Sequence, residues 1–305
     1  MTKTLSLVTG AAGFIGSNLV DHLLEQGHSV IAVDNESADN DKFHWNGACI
    51  NVRADVTDYN QMKNLFHSVK YVFHLAAESR MQPAINNPIE AIHKNCVGTT
   101  VMLQCAREWD VERFVYSSTS SGYGNNPYPN VETQPDDCLN PYSVSKIAAE
   151  KFCKMYYNLY GLETISLRYF NVFGERCPTR GQYAPVIGIF DRQKESGESL
   201  TIVGDGSQRR DFIHVKDVAK ANFLAATIDV DKKYLGEVFN VGSAKNYSVK
   251  QIADVISDNQ IFIPERTGEM DVTLADITKI GEVIGWKPEI DVLEWIYNRG
   301  LDLII

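Results

Sequence analysis

At 305 residues and 44% hydrophobic composition, the chain can bury a large core as one domain or as two interleaved ones. Its 29 Lys and Arg stand against 39 Asp and Glu, a formal net charge of −10, which argues against general affinity for nucleic acid. No run approaches the roughly 18 consecutive apolar residues of a membrane helix, so no membrane span is expected.

Met1-Thr2-Lys3 leads directly into an apolar run at 5–8, without the small-residue cleavage site of a secretory signal, and a cytoplasmic protein is expected. The cysteines (Cys49, Cys96, Cys105, Cys138, Cys153, Cys177) contain no CxxC pair. Neither a metal site nor a disulfide framework is therefore expected.

Residues 5–8 read as a first strand and run into Thr9-Gly10-Ala11-Ala12-Gly13-Phe14-Ile15-Gly16, with a helical pattern over 14–26 directly behind. Glycines permit a tight turn and let backbone approach a pyrophosphate. The helix N-terminus adds free N–H groups and a partial positive charge. The spacing is GxxGxxG, not the commoner GxGxxG. A second strand at 30–33 ends in Asp34, 18 residues after Gly16, where a carboxylate accepts hydrogen bonds from an adenosine ribose. Asn35, Glu36 and Ser37 follow, with no cation to pair a 2′-phosphate, which favours NAD over NADP.

The alternation continues with helices at 58–68, 88–109 and 142–160 and strands at 71–75, 113–117 and 164–168. Strand-helix alternation predicts an α/β chain with a parallel sheet covered on both faces. Strand 113–117 leads to Ser118, Thr119 and Ser120, and its C-terminal end faces the expected crevice. Thr119 is placed to hydrogen-bond a reacting oxygen, with Ser118 or Ser120 as substitutes. The last of these helices opens on Tyr142 and carries Lys146 one turn later, on the same face. A phenol with pKa about 10 is a poor base near neutrality, and a nearby ammonium lowers that value.

Beyond 170 the pattern loosens. Gly, Pro and charged residues punctuate 174–211, helices are expected over 217–227 and 249–258, and a buried strand at 237–241 could rejoin the first sheet. The expected division is 1–170 as a dinucleotide-binding domain and 171–305 as a substrate region, mainly 174–211 and 244–305, with segments near 212–243 crossing back.

The glycine motif, His74-Leu75-Ala76-Ala77, Asn95-x-x-Gly98-Thr99, Tyr142-x-x-x-Lys146, Leu167-Arg168-Tyr169-Phe170-Asn171-Val172-Phe173-Gly174 and Arg210-Asp211-Phe212-Ile213-His214-Val215 occur in that order. Together they resemble the extended short-chain dehydrogenase/reductase family, in its NAD-dependent epimerase/dehydratase group, and most of all the UDP-hexose 4-epimerases acting on UDP-glucose or UDP-N-acetylglucosamine. The resemblance implies a Rossmann-type doubly wound sheet with a smaller mixed α/β C-terminal substrate domain. It implies Tyr142 as base and acid, Lys146 on the nicotinamide ribose and Thr119 on the sugar O4. Gly10, Gly13, Phe14, Ile15 and Gly16 would hold the NAD pyrophosphate, Asp34 and Asn35 the adenosine ribose, and Asp55 and Val56 the adenine. Leu75, Ala76, Ala77, Asn95 and Tyr169 would complete the cofactor site. Asn171, Tyr183, Arg210 and Arg266 would contact the nucleotide-sugar, arginine suiting a diphosphate by its planar fork.

Thr273 aligns with a tyrosine of epimerases restricted to glucose and galactose, and a small residue there would admit an N-acetyl group. Thr119 is followed by Ser120 and Ser121, not the Asp-Glu pair of 4,6-dehydratases, so dehydration lacks its proton carriers. A homodimer formed through the helices at 88–109 and 142–160 is also implied. The rival readings are another oxidoreductase, decarboxylase or dehydratase on this scaffold, and an NAD-sensing regulatory protein.

Overall fold

The computed structural model describes residues 3–38, 42–179, 184–264 and 271–301. The chain opens with β1 (Leu5–Thr9), α1 (Phe14–Glu25), β2 (Ser29–Asp34), β3 (Ile50–Arg53), α2 (Tyr59–Met62) and β4 (Tyr71–His74). Next come α3 (Met81–Asn86), α4 (Pro88–Ile92), α5 (Gly98–Glu108), β5 (Arg113–Thr119), α6 (Pro141–Tyr160) and β6 (Thr164–Tyr169). The remaining elements are β7 (Asn171–Phe173), α7 (Val186–Glu195), β8 (Leu200–Val203), β9 (Arg209–His214), α8 (Val215–Thr227), β10 (Val238–Val241), β11 (Asn246–Ser248), α9 (Val249–Ile256), β12 (Gln260–Ile263), α10 (Thr278–Ile284) and α11 (Val292–Leu301).

A seven-stranded parallel sheet in the order β10-β6-β5-β4-β1-β2-β3 forms the centre. Its inner strands are apolar on both sides, as a sheet covered by helices requires, and β5 is buried along its whole length. One face packs on α1, α8 and α10 through Leu19, Leu23, Phe73, Ile165, Phe239 and Trp286. The other packs on α5 and α6 through Met102, Leu103, Phe114, Tyr116 and Cys153. Strand β10 pairs in register with β6 (Phe239 opposite Leu167), so the segment at 237–241 does rejoin the first sheet. A smaller lobe of β7, β9, β11 and the β8–β12 pair has its own core of Phe173, Phe190, Ile202, Phe212 and Ile252.

Local chemistry explains most boundaries. Helix α6 starts at a capping box between Asn140 and Ser143, with Pro141 at the first position, and ends at Gly161 with φ 74°. The helix expected at 88–109 runs on from α4 to α5 with a π-turn at His93–Val97 inside it. The helix expected at 58–68 is shorter, with α2 passing into a 3₁₀ turn at Lys63–Leu65. Edge strand β3, with sequence Ile-Asn-Val-Arg and mostly exposed, was invisible as an apolar run. No helix among the described residues is long and apolar enough to cross a membrane.

Candidate active site

The C-terminal ends of β1, β2, β4, β5 and β6 open into one cleft of about 380 Å³, the position at which doubly wound sheets bind ligands. The loop after β1 is packed so tightly that a Cβ on Gly16 would stand 2.0 Å from the Gly10 carbonyl oxygen, and one on Gly10, at φ 65°, would stand 2.9 Å from the Ala76 nitrogen. Gly13 caps α1 with no side-chain hydrogen bond, which leaves the first N–H groups of the helix free to meet an anion. At the tip of β2, Asp34 accepts from Ala12 N (3.0 Å) and Glu36 N (2.8 Å), while burial pushes its carboxyl above the usual range. Asn35 donates to Asp55 at 2.9 Å, joining the two β-strand ends that flank this part of the cleft. Arg53, the nearby cation, is paired with Glu36 at 3.2 Å. The glycine cradle, the uncapped helix and the carboxylate at the strand end together fit a dinucleotide with an unphosphorylated adenosine ribose.

At the other end, Thr119 closes β5 and Tyr142 opens α6. Thr119 Oγ1 accepts from Ser121 N and donates to Ser121 Oγ, both at 3.1 Å. Burial is the largest influence on the Tyr142 phenol and pushes it up, with a Thr119 hydrogen bond pulling the other way. The expected depression of Tyr142 by Lys146 is therefore not what this geometry gives. Lys146 is buried, its ammonium lies 4.4 Å from the centre of the Tyr116 ring, and desolvation brings its own pKa down to about 8 against an upward pull from Glu150.

Gly10, Gly13, Phe14, Ile15, Gly16, Asp34, Asn35, Asp55, Val56, Leu75, Ala76, Ala77, Thr119, Tyr142, Lys146 and Tyr169 all line the cleft. The Tyr169 hydroxyl is held at 2.9 Å by Asn222 and at 2.8 Å by Ser117. Ser118 also lines the cleft, but its hydroxyl donates to Glu150 at 2.5 Å, and Glu150 in turn receives two bonds from Arg168 at 2.9 and 2.7 Å. That commitment disqualifies Ser118 as a substitute for Thr119, and Ser120 is not on the cleft lining.

Four expected contacts lie elsewhere. Asn95 is fully buried behind the wall, its amide engaged with Glu78 and Ser145. Asn171 donates to Asp211 O (2.9 Å) and Thr273 Oγ1 (3.2 Å), so its amide braces the smaller lobe. Thr273 is only 4% exposed and also accepts from Asp211 N at 3.1 Å. Arg210 donates to the carbonyls of Arg209 (3.1 Å) and Asp271 (3.2 Å), off the cleft lining. Tyr183 and Arg266 lie outside the described residues.

Ser79, Arg80 and Lys94 line the cleft and were missed. Ser79 and Arg80 follow β4, so the rule that ligands sit beyond strand C-termini was the signal available for them, whereas Lys94 sits on the π-turn after α4. Lys94 bonds Glu90 at 2.7 Å and stands 3.9 Å from Glu78. Among the described residues no cluster of ligating side chains could hold a metal.

A model of the family described as NAD dependent epimerase/dehydratase matches residues 6–242. A putative UDP-glucose 4-epimerase of Methanocaldococcus jannaschii is 38% identical over 299 residues, 95% of each chain. The crystal structure of a UDP-glucose 4-epimerase from Thermotoga maritima with UDP-glucose superposes with TM-score 0.90 at 32% identity, covering 98% of this chain and 99% of the other. A UDP-N-acetylglucosamine 4-epimerase from Methanobrevibacter ruminantium, in complex with UDP-N-acetylmuramic acid, gives TM-score 0.91 at 32% identity, covering 100% and 99%. With a cleft shaped for the dinucleotide and agreement over nearly its full length, the chain belongs to the NAD-dependent epimerase/dehydratase family, and is an NAD-dependent epimerase.

Proposed function

We propose that the protein interconverts UDP-hexoses at C4 through a transient 4-keto sugar, with Tyr142 as the acid and base. The observation that carries this reading is the meeting of the Tyr142 phenol and the Thr119 hydroxyl in the same cleft as the glycine loop. Thr119 holds the sugar O4 hydroxyl and Tyr142 takes its proton and later returns it to the other face. The buried Lys146 ammonium, held beside Tyr116, orients the nicotinamide ribose. Bound NAD supplies a reversible store for the C4 hydride. Arg80 and Lys94 set positive charge on the cleft wall against the pyrophosphate groups.

The sugar is a hexose or its N-acetyl counterpart; the equal 32% identity to epimerases named for each supports that breadth. Residues 1–170 with β10 form the NAD-binding part, and the lobe built on 174–211 and 244–305 receives the nucleotide-sugar. The acting species is a homodimer, supported by the exposed apolar face of α3, α4 and α6: Ile85, Ile89 (82% exposed), Ile92 and Val144. Free thiols at all six cysteines suit the reducing cytoplasm.

Incubation with UDP-glucose, UDP-galactose and their N-acetyl forms should give interconversion without added NAD. Bound NAD with none of the four converted would refute the epimerase reading. Release of carbon dioxide or steady build-up of NADH would assign a decarboxylase or net oxidoreductase instead.

A further inference from the structure

Two sequence motifs supply buried residues that touch no cleft surface: His74 of the first and Thr99 of the second are both 0% exposed. They are joined by hydrogen bonds whose direction can be fixed by counting protons. Thr9 Oγ1 accepts from Leu75 N and Ala76 N, both at 3.1 Å, which fills its two lone pairs. Its own proton then goes to its remaining neighbour, His74 Nδ1, at 2.7 Å. A ring nitrogen that accepts carries no proton, so the ring proton is on Nε2, which donates to Thr99 Oγ1 at 3.0 Å. Thr99 donates in turn to the Asn95 carbonyl at 2.6 Å. An imidazolium would offer Thr9 a third donor and leave the hydroxyl proton without an acceptor.

The path continues. The Asn95 carbonyl belongs to the π-turn between α4 and α5, a helix defect that recurs at functional sites. Its side chain accepts from Glu78 N at 2.7 Å and donates to Ser145 Oγ at 2.9 Å. Ser145 Oγ donates to the Tyr142 carbonyl at 2.8 Å. Two directed hydrogen-bond runs, joined through the covalent frame of Asn95, thus lead from Thr9, the residue before the glycine loop, to the backbone carbonyl of the residue that carries the phenol.

We propose that His74, as the neutral Nε2–H tautomer, is a positioning residue that fixes the glycine loop against the Tyr142 end of α6, with Thr99 as its link. The inference rests on Tyr142 being the acid and base. Proton and hydride leave the same carbon–oxygen unit, so the phenol must keep its place relative to the loop, and a displacement of about 1 Å costs on the order of a hundredfold in rate.

Nitrogen NMR of ring-labelled protein, with the His74 signals assigned by their loss in His74→Gln, should show the Nε2–H tautomer and no titration between about pH 5 and 9. The Nδ1–H tautomer, or an imidazolium in that range, overturns the proposal. Thr99→Val removes one buried hydroxyl at nearly constant shape. It should lower kcat about tenfold, leave KM and bound NAD nearly unchanged, and be largely rescued by Thr99→Ser. An unchanged kcat in Thr99→Val, or an equal loss in Thr99→Ser, also overturns it. Should Thr99→Val fail to fold, the ring measurement on the unaltered protein decides alone. Should the unaltered protein convert no UDP-sugar, the acid–base reading has failed, and the ring measurement still judges the relay.

Discussion

Replacing Lys146 with methionine should abolish turnover while making the protein more stable. Lys146 is 3% exposed and its pKa falls from 10.5 to about 8, with desolvation as the leading cause. A shift of that size corresponds to roughly 3 kcal/mol of folding free energy lost to keeping the charge inside. Methionine is of similar length and removes that penalty, and the contact of the ammonium with the Tyr116 face is already part of the net shift. The expectation is a gain of up to about 3 kcal/mol at pH 7, seen as a rise in Tm. The pH dependence follows from the sign of the shift. Between pH 8 and 10.5 the unfolded chain binds more protons at this lysine than the folded one, so wild-type stability rises with pH there. The advantage of the variant should therefore narrow across that window and vanish above it. Urea unfolding of both proteins, freed of NAD so that cofactor linkage does not enter, measures the gap. A variant less stable than wild type at pH 7, or a gap that does not change with pH, refutes the reasoning.

Tyr142→Phe should lower kcat by about 10²–10⁴-fold, as loss of an acid–base group does, with bound NAD retained; near-wild-type turnover in a coupled UDP-galactose assay would remove Tyr142 from that role. Gly16→Ala forces a Cβ to within 2.0 Å of the Gly10 oxygen, so the loop must shift, at about 1–3 kcal/mol. Gel-filtered protein should then carry much less NAD, and undiminished NAD content would show that the loop is not its cradle. Ile89→Asp, at a side chain 82% exposed, should leave stability within about 0.5 kcal/mol yet yield monomers in sedimentation; unchanged assembly would place the interface elsewhere.

The first half of the molecule was legible because its chemistry is local. Glycine spacing, Asp34 at a strand end and the Tyr142–Lys146 pair follow from neighbours in sequence, and the structure brings all of them to one cleft. The smaller lobe was not legible for the opposite reason. Its strands are three to six residues long and pair with partners far along the chain, such as β7 with β9 and β8 with β12, so no single stretch carries a period. The settings of Asn95, Asn171 and Thr273 were not legible either: an amide or hydroxyl in a sequence does not reveal its buried partners, and here Ser145, Asp211 and Glu78 are those partners. The Lys146 effect was missed because helical spacing sets proximity but not desolvation, and desolvation dominates both pKa values.

The insertion of β10 beside β6 also dictates an order of assembly. A ribosome must deliver everything through Val241 before the large sheet can be completed, and until then β6 presents an unpaired edge of the kind that invites aggregation. A fragment ending near residue 170 would keep that edge permanently.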